Sequence, residues 1–345
     1  MEKLHIALIF GGKSAEHEVS IRSARTVFAA LDLTKYSVTP VAITKKGGFV
    51  VGDAAQAILD NNTVVTVGEE FSQPLTTFIT ALANVDVAFP VLHGPYGEDG
   101  SMQGLFEVAG VAYVGAGVLG SAIGMDKGVM KRLLSQAGIP VAKWLVATKA
   151  SKVAFDEARE QLGLPLFIKP ANLGSSIGVS KVNTAEEFSK GIETALRFDA
   201  SAIIEEAITG REIECAVLGG ESPRASRVGE IVLSDDFYSY DEKYSQASKT
   251  DIRIPAELPD GIEEKVQSLS VKTFTTLHCF GMGRVDFFLQ DDGALLVNEI
   301  NTLPGFTSIS MYPKLWEISG VPISLLVDEL VSLAQQRHDD VPKAV

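Results

Sequence analysis

Four polar side chains within residues 283–305, GRVDFFLQDDGALLVNEINTLPG, have the types and spacing of a divalent-cation site. Two apolar-alternating runs flank Asp292-Gly293, and Asp-Gly in that setting is the strongest short signal for a β-hairpin. With those two residues as the turn, Asp291 faces Ala294, Asp286 faces Glu299 and Arg284 faces Asn301. Side chains two apart on a strand share a face. The hairpin therefore gathers Asp286, Glu299, Asn301 and Arg284 on one surface. Like charges across a strand pair repel, and a cation between them removes the repulsion. Oxygen-only ligands suit Mg²⁺, which is usually held by one or two carboxylates plus substrate phosphates. The alternative is a solvated hairpin face with a chance acid pair. The following Asn-Thr-Leu-Pro-Gly favours the cation site, because a strand ending in a Pro-Gly turn offers a bare backbone N–H, that of Gly305, beside it.

Anionic groups need cations, and two lysines have suitable settings. Lys169 ends an apolar strand pattern at residues 164–168 and precedes the Gly-Ser-rich PANLGSSIGVS. Backbone N–H groups and hydroxyls there would bind phosphate, with the lysine as point charge. The spacing is not that of a Walker loop, and an ordinary hairpin loop is the alternative. Lys127 opens a helical pattern at residues 125–137, where a cation opposes the helix dipole and so hints at an anionic ligand. Glu16, in the glycine loop GGKSAEHEVS, suits a bound ammonium or simply balances a helix start. His93, in HGPYGEDG after another strand, fits a structural role as well as a substrate contact. The strand at residues 202–206, the turn at Ile208, Thr209 and Gly210, and Glu212 beyond it would line an adenine pocket and meet ribose hydroxyls. A long polar loop at residues 234–250, containing FYSYDEKY, reads as a functional lid or a disordered segment.

These residues must be positioned by a chain of 345 residues, enough for two to three domains. Hydrophobic content of 46% and charged content of 21% are ordinary for a globular protein. The net charge of −14 argues against nucleic acid and anionic membranes as partners. Cys215 and Cys279 lie in apolar stretches and read as buried thiols in a reducing compartment. The N-terminal LHIALIF is too short for a signal peptide and no apolar run reaches membrane length, so a cytoplasmic location is expected. Strands are expected at residues 4–10, 38–43, 85–92, 111–114, 212–218 and 228–233, and helices at 19–31, 101–109, 261–278 and 322–336. Strand, glycine loop and helix open a doubly wound α/β domain, where ligands sit at the carboxyl ends of strands. Residues 115–124, rich in Gly and Ala, read as its boundary, and residues 47–80 carry little pattern.

Taken in order, GGKSAEHEVS, HGPYGEDGSMQG, MDKGVMKRLL, LPLFIKPANLGSSIGVSKV, EEAITGREIECAVLG, FYSYDEKY, GMGRVDFFL and NEINTLPGFTSISMYP resemble the D-alanine–D-alanine ligases of the ATP-grasp superfamily over nearly the whole chain. The resemblance implies an N-terminal doubly wound α/β substrate-binding domain (residues 1–120). A central ATP-grasp subdomain (121–215) and a C-terminal catalytic subdomain (216–345) would follow. It implies the ligation of two D-alanines through a D-alanyl phosphate, for peptidoglycan precursors, with ATP and two Mg²⁺ ions (Mn²⁺ able to substitute) held by Asp286, Glu299 and Asn301. Lys127, Lys169, Ser176 and the lid residue Lys243 would hold ATP phosphates; Glu205, Glu206, Ile208, Glu212 and Asn298 would line the nucleotide site. Arg284 and the Gly305 N–H would stabilise oxyanions. Glu16 would meet the first D-alanine's ammonium, with Ser175 and Tyr244 closing the lid over it. Ser310, with its neighbour Met311, would bind the second carboxylate, and His93 would also contact substrate. A homodimer is implied. A depsipeptide ligase making D-alanyl-D-lactate, or another carboxylate–amine ligase of the superfamily, is the alternative, and Tyr244 argues against the depsipeptide reading.

Overall fold

The N-terminal apolar run forms β1 (Leu4–Gly11), the middle strand of the first sheet, with Ile6 to Phe10 fully buried. This is seen in a computed structural model that describes residues 3–61, 66–175, 177–232 and 251–340. Continuous apolarity marks a strand covered on both faces. After β1 come α1 (His17–Ala30), β2 (Tyr36–Ile43), β3 (Phe49–Val51), α2 (Asp53–Asp60), α3 (Leu75–Leu82), β4 (Val87–Val91), α4 (Ser101–Ala109) and β5 (Ala112–Tyr113). The sheet runs β3-β2-β1-β4-β5, parallel except for the edge strand β3. The weakly patterned residues 47–80 thus include, among the described residues, β3, α2, a single 3₁₀ turn (Glu69–Phe71) and the start of α3; at eight residues, α2 and α3 are too brief to show a clear period.

The Gly/Ala-rich stretch expected to be a boundary holds a helix: α5 spans Val118–Met125. Its small residues allow close approach. A Cβ on Gly120 would lie 2.5 Å from the His278 carbonyl oxygen, and one on Gly124 2.8 Å from Thr302 Cγ2. The expected single helix at residues 125–137 therefore breaks at Asp126, whose side chain accepts from the Val129 N–H and starts α6 (Lys127–Gln136).

The second sheet is antiparallel, β6-β9-β7-β8, from β6 (Trp144–Thr148), β7 (Leu166–Pro170), β8 (Ser180–Val182) and β9 (Ser201–Glu206). Helices α7 (Phe155–Leu162) and α8 (Ala185–Phe198) cover it; Thr184 and Glu187 close a capping box at the start of α8. The third sheet, β12-β11-β10-β13-β14, is also antiparallel. It contains β10 (Arg211–Gly219), β11 (Arg224–Val232), β12 (Asp251–Arg253), β13 (Gly281–Leu289) and β14 (Leu295–Asn301). Helices α9 (Ile262–Thr276), α10 (Met311–Ile318) and α11 (Ile323–Asp340) complete the chain. The expected divisions at 120/121 and 215/216 fall within α5 and β10.

One core joins the first sheet to the third. Leu8 and Phe89 from the former, Leu218 from the latter, and Tyr312, Trp316, Leu326 and Leu330 from α10 and α11 belong to it. Arg337 of α11 ties this layer down, donating to the carbonyls of Tyr113 (2.7 Å) and Gly115 while stacking 3.9 Å over the Tyr113 ring. Cys215 and Cys279 are buried free thiols, as expected. Burial pushes them up to about 11 and about 12, so neither is a ready nucleophile. Among the described residues no helix is long and apolar enough to cross a membrane.

Candidate active site

The hairpin of β13 and β14 pairs Arg284 with Asn301 and Asp286 with Glu299, the expected register. It reaches that register by a different route. The loop has three residues, with Gln290 N–H bonded to the Ala294 carbonyl, Gly293 N–H to the Gln290 carbonyl, and Gly293 left-handed at φ +82°. This shifts the pairs nearest the turn by one: Leu289 faces Leu295 and Phe287 faces Val297. A bulge between Asp286 and Phe287 on the pairing then takes up the extra residue. Asn298 and Glu299 are consequently both half-exposed, where strict alternation would bury one of them.

On that face Arg284 grips Asp286 through two 2.7 Å bonds, from Nε to Oδ1 and from Nη2 to Oδ2. Its Nε also lies 3.0 Å from Glu214 Oε2, on the neighbouring strand opposite Asp286. Burial disfavours the guanidinium charge, but Asp286 and Glu214 outweigh it and raise the Arg284 pKa. Asn301 Nδ2 donates to Asp286 Oδ2 at 3.0 Å. Glu299 Oε2 lies 3.4 Å from Lys127 Nζ. The donor set therefore offers oxygen alone, from two carboxylates and an amide. Among the described residues no three His, Cys, Asp or Glu side chains converge. Such a partial shell fits a hard cation that also takes substrate oxygens, such as Mg²⁺.

Beside this face a cleft of about 810 Å³ opens between the second and third sheets. Lys127, Lys169, Ser175, Glu205, Glu206, Ile208, Glu212, Asn298 and Glu299 all line it, as do Phe167, Lys181 and Phe288, which the motifs do not single out. Lys169 lies 2.7 Å from Glu205 Oε2, while Lys131, fully buried on α6, lies 2.8 Å from Glu205 Oε1. Burial pushes the Glu205 carboxyl up, but Lys169 and then Lys131 outweigh it and hold it at about 2. Glu205 thus meets the cleft with both oxygens engaged by lysines. The sequence does carry a signal for Lys131: it stands four residues after Lys127, on the same helical face. Ser176, Lys243 and Tyr244 lie outside the described residues.

The opposite end of the site is built by the loops after β1 and β4. The Glu16 carboxylate lies beside Gly94: its Oε2 would be 3.9 Å from a Cβ there. His93 is buried, with Nδ1 3.0 Å from the Leu303 carbonyl oxygen. Burial lowers its pKa, so the ring is neutral, Nδ1–H donates, and Nε2 remains an acceptor with no hydrogen-bond partner among the described residues. A Cβ on Gly305 would lie 2.9 Å from Ser310 Oγ, so the two approach closely. Ser310 precedes α10 and its hydroxyl bonds the N–H and hydroxyl of Thr307, at 3.0 and 2.8 Å. Met311, expected to meet substrate, turns its side chain into the core against Gly229; what it can offer outward is backbone at the helix start.

Glu98, not singled out from sequence, accepts the Gly94 N–H at 2.7 Å. Burial, reinforced by Glu16, raises its carboxyl to about 8. The folded chain then binds one more proton than the unfolded chain between 4.5 and about 8, so its stability falls as pH rises through that window. The shift itself corresponds to at most roughly 5 kcal/mol, which solvent reaching this side chain reduces to on the order of 2 kcal/mol. Urea unfolding should therefore show Glu98→Gln equal to the parent at pH 5 and more stable by about 2 kcal/mol at pH 8.5. A gap that does not widen with pH would contradict the protonation assigned to Glu98.

Residues 5–116 match the sequence model described as "D-ala D-ala ligase N-terminus", and residues 133–332 that described as "D-ala D-ala ligase C-terminus". The chain belongs to the D-alanine–D-alanine ligase family. A D-alanine–D-alanine ligase of Shouchella clausii (strain KSM-K16) is 47% identical over 355 aligned positions, covering 98% of this chain and 96% of its own. The solved D-alanine-D-alanine ligase of Coxiella burnetii superposes with a TM-score of 0.86 at 37% identity, covering 99% of this chain and 96% of that one. VanG D-Ala:D-Ser ligase from Enterococcus faecalis gives 0.82 at 37% identity, over 96% and 100%. The fold is the one this family implies, a doubly wound N-terminal α/β domain followed by two antiparallel sheets clasping a cleft, the ATP-grasp arrangement.

Proposed function

We infer that this chain joins two D-alanines to D-alanyl-D-alanine at the expense of ATP, by way of a D-alanyl phosphate, for peptidoglycan precursor synthesis. The observation that carries this reading is the meeting of Lys127 with Glu299 at 3.4 Å, where the cation-lined cleft joins the oxygen face of the hairpin. A triphosphate in the cleft would have its far end there.

In the first step a carboxylate oxygen of one D-alanine attacks the γ-phosphorus, and the bond to ADP breaks. Lys127 and Lys169 hold the phosphates, and Asp286, Glu299 and Asn301 would hold two Mg²⁺ ions, or Mn²⁺, which when bound neutralise charge on the transferring group. The cleft walls at Glu206, Ile208, Glu212 and Asn298 receive the adenosine. Glu16 pairs with the first ammonium. In the second step the free amine of the other D-alanine attacks the acyl carbon and phosphate leaves. Arg284 and the Gly305 N–H stabilise the oxyanion that forms. Ser310 takes the second carboxylate, and neutral His93 offers Nε2 to a substrate N–H. The lid roles of Lys243 and Tyr244, with Ser175 and Ser176, rest on the motifs alone. Closure matters because water destroys an acyl phosphate. A homodimer working in the cytoplasm completes the proposal.

Phosphate release from Mg-ATP tests it. Release is expected with D-alanine and not with L-alanine, and the product should be the dipeptide. D-serine, named for the VanG D-Ala:D-Ser ligase, and D-lactate should each give at least about tenfold lower kcat/KM as second substrate, a difference of about 1.4 kcal/mol. Equal use of either would replace the acceptor assignment, and no release with any amino acid would replace the enzymatic one.

A further inference from the structure

We propose that Lys131 is a positioning residue that keeps Lys169 available to the ATP phosphates by taking one oxygen of Glu205. The inference rests on the ATP-binding role given to this cleft and extends it to a side chain that never reaches the cleft.

Lys131 is fully buried, whereas Lys127, one turn earlier on α6, lines the cleft. A buried lysine carries a desolvation cost of several kcal/mol, and an apolar side chain of the same volume would usually fill such a position at no loss of stability. Among the described residues it has one anionic partner: Nζ lies 2.8 Å from Glu205 Oε1, and 6.0 Å from the Trp144 ring centroid. Glu205 divides itself between two ammonium groups, with Oε2 2.7 Å from Lys169. The three side chains together carry one net positive charge. Since Lys131 faces inward and Lys169 faces the cleft, that surplus is presented where a triphosphate would lie.

Without Lys131 the count changes. Glu205 and Lys169 become a neutral pair, and Lys169 faces a carboxylate with both oxygens free to hold it. A phosphate must then compete with a full buried counter-charge in a region of low dielectric, where such attractions are strong. The consequence is specific to phosphate. The cleft walls that receive adenosine are unchanged, since Lys131 contributes no surface to them.

The test measures equilibrium binding of a non-hydrolysable ATP analogue with Mg²⁺, and of adenosine, to the whole protein. Lys131→Met should weaken the analogue at least tenfold and change adenosine less than about twofold. Steady-state kinetics should show the matching split: KM for ATP raised at least tenfold, kcat and the D-alanine KM within about threefold. Adding Glu205→Gln to Lys131→Met restores the net charge and should recover at least threefold of the lost analogue affinity. If Lys131→Met does not fold, Lys131→Gln, which removes the charge but can still hydrogen-bond that Glu205 oxygen, should weaken the analogue at least threefold with the change for adenosine still below about twofold. Unchanged analogue affinity, equal losses for analogue and adenosine, or no recovery in the double variant would each overturn the proposal. A parent protein that binds neither compound would instead overturn the reading of the cleft.

Discussion

Glu299→Gln is expected to lower kcat by at least about 10³-fold, a loss of roughly 4 kcal/mol of transition-state stabilisation, while leaving the fold intact. Gln keeps the shape of the side chain but offers one oxygen in place of two and no charge. The loss falls on a residue that would hold the proposed metal ions, and charge neutralisation by such ions would supply several kcal/mol in phosphoryl transfer. Stability should move little. Glu299 faces Asp286 across the strand pair, so the variant relieves a like-charge repulsion, which offsets the weakened attraction to Lys127, 3.4 Å away, and to Arg284. Turnover as a function of Mg²⁺, together with Mn²⁺ binding measured on the protein alone, checks both halves. Parent-like turnover at low Mg²⁺ would remove Glu299 from the metal set.

Arg284→Lys should cost roughly 10²–10³-fold in kcat/KM, the range seen when one oxyanion donor is lost, and it should also destabilise the protein. Arg284 spends one planar group on three contacts: two parallel bonds to Asp286 and a third approach to Glu214. An ammonium is a point charge and cannot reproduce that fork. Glu214 is buried, and breaking a buried ion pair from one side typically costs up to about 3–5 kcal/mol. Urea unfolding at neutral pH should therefore show a loss of up to that order. Activity within fivefold of the parent would mean that Arg284 only holds Asp286 in place.

The chemistry of the site was legible because it is written in local patterns. Alternating apolar residues around Asp292-Gly293 put Arg284, Asp286, Glu299 and Asn301 on one face before any fold was known. Even so, that register rested on two opposite departures from the simple picture, a longer turn and a bulge, which cancel at Asp286. Hairpin rules see the turn; a bulge answers to packing around Asn298 and Glu299, which sequence spacing does not report. The residues that escaped notice share one property. Lys131 and Glu214 act through partners distant in the chain, and Glu98, bonded locally to Gly94, is shifted by burial and by distant Glu16. These settings arise only when α6 meets β9, β10 lies beside β13, and the loops after β1 and β4 come together. Gly115 to Gly124 concealed a helix for a different reason: small residues carry little helical pattern, yet here they let α5 press against other backbone.

The last helix, α11, packs on β4, β5 and α1 and belongs to the same core as Leu8 and Phe89. Domains generally fold as units while a chain is being synthesised. In this chain the opening domain cannot close its hydrophobic layer until α11, whose last residue is Asp340, has left the ribosome. The part of its apolar surface that α11 covers, at β4 and β5, stays open until the chain has been made as far as that helix, so the nascent chain is exposed to chaperones, and to aggregation, over that interval.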